Sequence, residues 1–178
     1  MKKIIFMLFA AMGLLFSQTA SAKKKTLVAY FSATGTTEHV AKMIANATGG
    51  ELLKIQPTKE YSAADLDWRN PKSRSSMENA NAKARPTFIK GKTDPNKYDV
   101  IYLGYPNWWN GAPRIINSFV EAYKLKGKTV IPFMTSGGSR IENSVTQLKK
   151  LYPQVKWQKG KLLNGATQKS INSWVNAK

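Results

Sequence analysis

Past residue 25 the chain alternates short, continuous apolar runs with stretches whose apolar positions recur every three or four residues. Thr26 to Phe31, TLVAYF, is β-branched and aromatic, the composition of a buried strand. Val40, Met43, Ile44 and Ala47 then fall at helical spacing, and Thr48-Gly49-Gly50 stops the helix they define. Glu51 to Pro57, ELLKIQP, predicts a second strand closed by its proline. Asp99 to Gly104, DVIYLG, is the clearest buried strand in the chain. Pro113, followed by Ile115, Ile116, Phe119, Val120 and Tyr123, marks a helix, and KTVIPFMTS (128–136) a further strand. Ser139 to Tyr152 reads as a helix whose start, SRIE, is a capping box: Ser139 caps and Glu142 reaches back. VKWQKGKLL (155–163) predicts a last strand region. Gln168 to Asn176 predicts a terminal helix with Ile171, Trp174 and Val175 inward.

Strands that alternate with helices imply an α/β fold with parallel pairing and helices on both faces, here a five-stranded doubly wound sheet. Residues 62–92 break the alternation and mix acidic with basic residues. They read as an insertion with one or two short helices, packed over an end of the sheet. In such sheets ligands bind beyond the carboxyl ends of the strands, where the strand order reverses. That rule directs attention to the loops at Ser32–Thr37, Tyr105–Gly111 and Thr135–Ser139.

The N-terminus changes the domain count. Lys2 and Lys3 precede an apolar run from Ile4 to Phe16, and Ala20-Ser21-Ala22 is a small-residue cleavage site. That pattern is a secretory signal peptide (1–22), leaving one domain (23–178) in the periplasm or cell envelope of a bacterium. The rival is an uncleaved anchor, favoured by Lys23-Lys24-Lys25, since positive charge there resists translocation. The 178 residues include no cysteine, which excludes disulfides, thiolate metal sites and a cysteine nucleophile. With His39 the lone histidine and ten carboxylates, a clustered metal site is disfavoured. The formal net charge is +18, and removing Lys2 and Lys3 with the leader lowers it to +16. So basic a surface attracts an acidic protein or an anionic membrane surface. The lysines are spread along the chain with no nucleic-acid motif, so nucleic acid is disfavoured. The bland alternative is a solvated basic surface.

Each loop carries its own chemistry. In the first, Gly35 lets the backbone approach a ligand, and Ser32, Thr34, Thr36 and Thr37 offer hydroxyls where a helix begins, a setting for phosphate. The loop lacks the lysine of a nucleotide P-loop and the repeated glycines of a dinucleotide fingerprint. An ordinary Ser/Thr-capped helix start is the alternative. His39, just inside that helix, reads as solvated or packed against the helix. In the second loop, Trp108 and Trp109 follow a buried strand and point in different directions, so at most one is simple core. The other can stack on a flat ring, with Asn110 and Gly111 near its edge. Alternatively Asn110 caps the next helix, with Pro113 in its first turn. In the third loop, Gly137 and Gly138 allow close backbone approach between Thr135, Ser136 and Ser139. There is no G-x-S-x-G and no general base, so a serine hydrolase is disfavoured. A tight turn into a helix is the plain reading.

Taken in order on one sheet, these loops resemble the flavodoxin family. Ser32-Ala33-Thr34-Gly35-Thr36-Thr37 is similar to its [ST]-x-T-G-x-T phosphate loop. Pro106 to Trp109 and Thr135 to Ser139 are similar to the P-x-W-W and T-S-G-G-S loops of one flavodoxin-like group, as are Asp65 to Trp68, Ser73-Arg74 and Arg85-Pro86. The resemblance covers essentially all of the chain after residue 22. It implies strand order 2-1-3-4-5 and non-covalent FMN. The phosphate would lie on Ser32, Thr34, Gly35, Thr36 and Thr37. Tyr105, Trp108 or Trp109 would flank the ring, with Asn107, Asn110 and Gly111 at its edge and Pro106 also among the cofactor-binding residues. Thr135, Ser136, Gly137, Gly138 and Ser139 would close the other side. It further implies a peptide beside the ring that turns over when the flavin takes a proton, with Asn110-Gly111 as candidate. Where familiar flavodoxins are acidic this chain is basic, so its flavin is expected to be less reducing. The expected function is electron transfer with an acidic redox protein. The alternatives are an FMN-dependent NAD(P)H:quinone-type oxidoreductase and a non-redox module for an anionic ligand.

Overall fold

The computed structural model describes residues 24–177, so the signal-peptide assignment to residues 1–22 lies outside the described residues. Five strand positions form one parallel sheet. β1 (Thr26–Tyr30), β2 (Glu51–Lys54), β3 (Val100–Pro106) and β4 (Thr129–Thr135) lie in the order β2-β1-β3-β4, and β5 (Lys156–Trp157) completes it at the far edge. The expected order 2-1-3-4-5 is the observed one. The alternation of side chains along the strands serves two cores. Val28, Tyr30, Tyr102, Ile131 and Phe133 face α1 (Thr36–Thr48) and α5 (Gln168–Asn176). Leu27, Ala29, Ile101, Leu103, Val130 and Met134 face α3 (Arg114–Tyr123) and α4 (Glu142–Leu151). Both faces of the central strands are covered, and for that reason they read as unbroken apolar runs.

The last strand region is two pieces, β5 and β6 (Lys161–Leu162), both paired with β4. Proline explains the break. The carbonyls of Lys128, Val130 and Met134 accept from the edge strand, so the alternate residues of β4 face it. Pro132 sits in that series and has no N–H to give. Opposite it, Gly160 passes so close that a Cβ there would lie 3.1 Å from the Pro132 oxygen and 2.7 Å from Ile141.

The crossover from β2 to β3 contains residues 62–92 and a single α-helix, α2 (Arg74–Ala80), capped by Ser73. Further along, Pro57 bridges to Phe88. Two helix starts differ from expectation. α4 begins at Glu142 and has no side-chain cap. Ser139 does not cap it, because the Gly138 and Ser139 N–H groups both donate to Ser136 Oγ (3.1 and 2.8 Å), which folds the loop back before helical geometry sets in. α3 begins after Pro113, again with no side-chain cap, so Asn110 does not cap it. The capping box that does form is at α5, between Thr167 and Ser170.

Candidate functional site

A cleft of about 930 Å³ opens at the carboxyl ends of the strands, and all three loops line it. Its wall comprises Ser32, Thr34, Thr36 and Thr37 from the first loop, Pro106 to Asn110 from the second and Thr135 to Ser139 from the third. Among the described residues, no lining side chain is ionisable. The cleft therefore holds no acid or base of its own, and binding must come from hydroxyls, amides, backbone groups and aromatic area.

The first loop ends in an exposed helix start. Gly35 stands at the N-cap of α1 with φ 88°, a left-handed conformation that costs other residues strain. It makes the turn, and it does not itself line the cleft. No side chain caps this helix, so the capped-helix alternative is not what forms, and the first-turn N–H groups keep their partial positive charge. Thr37 and Thr135 hydroxyls lie 2.8 Å apart and buried. Whichever donates, one hydroxyl proton of the pair remains for a third acceptor. His39 is exposed on the outer side of α1.

The second loop leaves β3 as a hairpin-like turn. Trp109 (φ 45°) and Asn110 (φ 57°) are both left-handed, and Trp108 and Gly111 exchange N–H···O bonds of 3.0 and 2.9 Å across them. That is the pattern of a type I′ turn. It splits the tryptophans as their adjacency requires. Trp108 packs edge-on to Phe31 (5.6 Å) and Tyr61 (5.2 Å) between ring centroids, while Trp109 is 40% exposed at the cleft. Beneath Trp108, the Arg74 guanidinium lies 3.9 Å from the Tyr61 ring centroid and pairs with Glu78 at 2.7 Å. The Tyr61 hydroxyl donates to Glu78 at 2.6 Å, and burial, with that bond, pushes its pKa far up, so it stays a neutral donor.

Three expectations for this loop are corrected. Tyr105 does not flank the cleft: its ring is fully buried below β3, its hydroxyl 3.0 Å from that of Ser144. Strand alternation sends it inward, two residues after Leu103 on the same face. Gly111 does not line the cleft either; it is buried, and a Cβ there would lie 3.0 Å from Gln147. The Asn110-Gly111 peptide is pinned at both ends. Its N–H donates to the Trp108 carbonyl, and its carbonyl accepts from Asn143 Nδ2 at 2.7 Å. Turning it over would break both bonds.

Sequence reasoning missed Leu66, Trp68, Ser75, Asn164 and Gly165, all at the cleft. Trp68 is 65% exposed, with the Arg69 guanidinium 4.8 Å from its ring centroid. Asn164 follows β6 and clamps the third loop: its Oδ1 accepts from the Ser136 N–H at 2.9 Å and its Nδ2 donates to the Ser136 carbonyl. Applying the carboxyl-end rule to the last strand would have found it, since LNGA is a turn signal there.

The residues present fit a phosphate-bearing planar ligand. The buried side-chain atoms without a hydrogen-bond partner among the described residues are Ser32 Oγ, Ser75 Oγ and Asn107 Oδ1, and all belong to cleft residues. Buried polar groups are normally paired, so these await a polar ligand. Gly137 and Gly138 have open space where a Cβ would stand, leaving their backbone accessible.

Known proteins match the chain in sequence and in fold. A family model described as Flavodoxin matches residues 25–178. A Bacteroides uniformis protein assigned as a flavoprotein has 52% identity, covering 86% of this chain and 98% of its own, with a TM-score of 0.83. A Bacteroides eggerthii counterpart also has 52% identity, over 86% and 97% of the two chains, with a TM-score of 0.83. A Lactobacillus acidophilus flavoprotein solved in complex with FMN shares the fold at 22% identity, over 86% and 97%, with a TM-score of 0.70. No curated protein matches the chain.

Proposed function

The chain belongs to the flavodoxin family, and on that premise we propose that it binds FMN non-covalently in this cleft and transfers electrons through it outside the cytoplasmic membrane. One observation carries the reading: the uncapped start of α1 opens into a cleft whose partnerless buried groups are all neutral hydrogen-bonding atoms. A dianion needs donors such as the serine hydroxyls and the first N–H groups of the helix, while Asn107 Oδ1 remains an acceptor for the rest of the ligand. A neutral wall lets the dianion keep its charge.

The phosphate is assigned to the hydroxyls of Ser32, Thr34 and Thr36, the proton left over by the Thr37–Thr135 pair, and the first N–H groups of α1. Trp68, Trp108 and Trp109 supply the aromatic surface for the ring, and the Asn164 clamp holds the Ser136–Ser139 backbone in place beside it. FMN, when bound, supplies the redox chemistry. The protein positions it, sets the local polarity and excludes water. With no carboxylate among the described residues of the lining and a formal charge of +16 once Lys2 and Lys3 leave with the leader (+18 for the full chain), the surroundings favour the electron-rich state of the cofactor, and the same field draws an acidic redox partner. Export after cleavage near Ala22 is part of this proposal.

The exposed indoles of Trp68 and Trp109 favour a second reading, in which a flat quinone-type acceptor enters the mouth of the cleft and is reduced at the expense of NAD(P)H. A carrier leaves NAD(P)H unoxidised when supplied with a quinone; an enzyme does not.

The test is titration of the purified chain with FMN, followed by fluorescence quenching and the visible absorption band. The parent protein saturates and turns yellow. Thr34→Glu places a negative charge at the start of α1, where it supports the helix and repels the phosphate, so folding persists and binding is lost. A parent protein that neither quenches nor colours at saturating FMN refutes the assignment.

A further inference from the structure

At the end of the sheet away from the cleft, the turns entering the strands are stitched together. The Asp99 N–H donates to the Lys25 carbonyl and the Gly127 N–H to the Gln154 carbonyl, each at 2.9 Å. Lys128 Nζ donates to the carbonyls of Asn96 and Tyr98. The bond between Gly127 and Gln154 sets the 124–128 turn beside the 151–156 segment. In that corner Leu151 is 51% exposed, with Lys124, Lys126, Lys150 and Lys156 exposed around it. Lys24, Lys25 and Lys97 extend the basic surface along the sheet. None of these ammonium groups has a carboxylate partner among the described residues. The carboxylates of the same region are already engaged. Asp99 accepts from the Lys25 N–H, Glu51 from the Thr93 and Tyr98 hydroxyls, and Asp94 from the Asn96 N–H.

We propose that this end of the domain rests on the anionic headgroups of a lipid bilayer, with Leu151 entering the interface and the cleft facing away. Unpaired lysines spread over the entry end of the sheet and its α3/α4 layer match a broad field of negative charge. An exposed leucine on the same end of the sheet as unpaired lysines gives the amphipathic composition of an interfacial contact, in which lysine stems lie on apolar surface while their ammonium groups stay at the headgroups. An acidic redox protein fits this face poorly. The length of β3, roughly 20 Å, separates the face from the cleft, and electron exchange falls steeply with distance. No helix among the described residues is long and apolar enough to cross a membrane, so the contact is peripheral. The proposal does not depend on the cofactor.

The experiment is co-sedimentation of residues 23–178, which hold both cores and every described element, with vesicles of phosphatidylcholine alone or mixed with phosphatidylglycerol. Binding is expected only to the anionic vesicles, falling as salt is raised. Lys126→Glu, Lys150→Glu and Lys156→Glu combined should weaken it by more than about tenfold. The equally charged control Lys54→Glu, Lys72→Glu and Lys169→Glu should retain it, and thermal unfolding checks that both triples fold. Leu151→Ser should weaken binding with the charge unchanged. Equal losses in the two triples, no preference for anionic vesicles, or binding of polyglutamate through these lysines without vesicle binding would each overturn the proposal.

Discussion

Replacing Ser32 by alanine should give opposite answers in two assays. The Ser32 hydroxyl is buried and has no partner among the described residues, and the residue is 9% exposed. In the ligand-free protein its removal deletes no bond, so stability should stay within about 0.5 kcal/mol of the parent, or rise. With FMN present the same hydroxyl is assigned to the phosphate, and a hydrogen bond to a charged group contributes about 1.5–3 kcal/mol. FMN affinity should therefore fall by roughly tenfold to a hundredfold. Riboflavin, which lacks the phosphate, serves as the internal control, and its affinity should not change. Thr37→Val provides the contrast. It strands the buried Thr135 hydroxyl 2.8 Å away and should cost about 1–3 kcal/mol before any ligand is added. Denaturant unfolding of the ligand-free proteins and parallel titrations with both flavins give the complete set. Equal losses for FMN and riboflavin, or a drop in ligand-free stability for Ser32→Ala, would refute the phosphate assignment.

Further outcomes follow from other parts of the molecule. Trp68→Ala should leave the unfolding midpoint unchanged, because the ring is 65% exposed, yet weaken flavin binding and restore flavin fluorescence in the complex. Gly104→Ala would place a Cβ 2.1 Å from the Phe133 ring, so thermal denaturation should show a loss of about 1–3 kcal/mol or more. Glu121 accepts from Arg85 at 2.8 Å and from the Tyr152 hydroxyl at 2.7 Å, and the Arg85 bond above all holds its carboxyl below the ordinary value of 4.5. A lowered pKa means its stabilisation is full above 4.5 and disappears as pH falls through the lower folded value. Glu121→Gln should flatten that acid limb of the melting profile, modestly because the side chain is 42% exposed. A redox titration should place the flavin at a less negative potential than in an acidic flavodoxin; an equally low value would reject the electrostatic argument.

The central strands and four of the helices were legible because each obeys one local rule. Strands covered on both faces are apolar throughout, and the Thr48-Gly49-Gly50 stop works through Gly49, left-handed at φ 67°. The three loops were legible because parallel topology sends every carboxyl end to the same side. What escaped depended on contacts far apart in the chain. The SRIE pattern promises a capping box, but Ser136 captures the N–H groups that would have led into it. Tyr105 looked like a loop aromatic because β3 runs on to Pro106, past the strand expected to end at Gly104. Trp68 lies in a segment with no periodicity, and only folding of the β2–β3 crossover brings it to the cleft.

The interrupted border of the sheet bears on how the chain folds without joining its neighbours. A long, regular outer strand is an invitation for another molecule to add itself and begin a polymer. Here Pro132 withholds a donor midway along the neighbouring strand, and the border is reduced to the pairs Lys156–Trp157 and Lys161–Leu162, each carrying a lysine. Neither fragment is long enough to template a newcomer, so this border should not seed fibrils when the chain refolds under crowding.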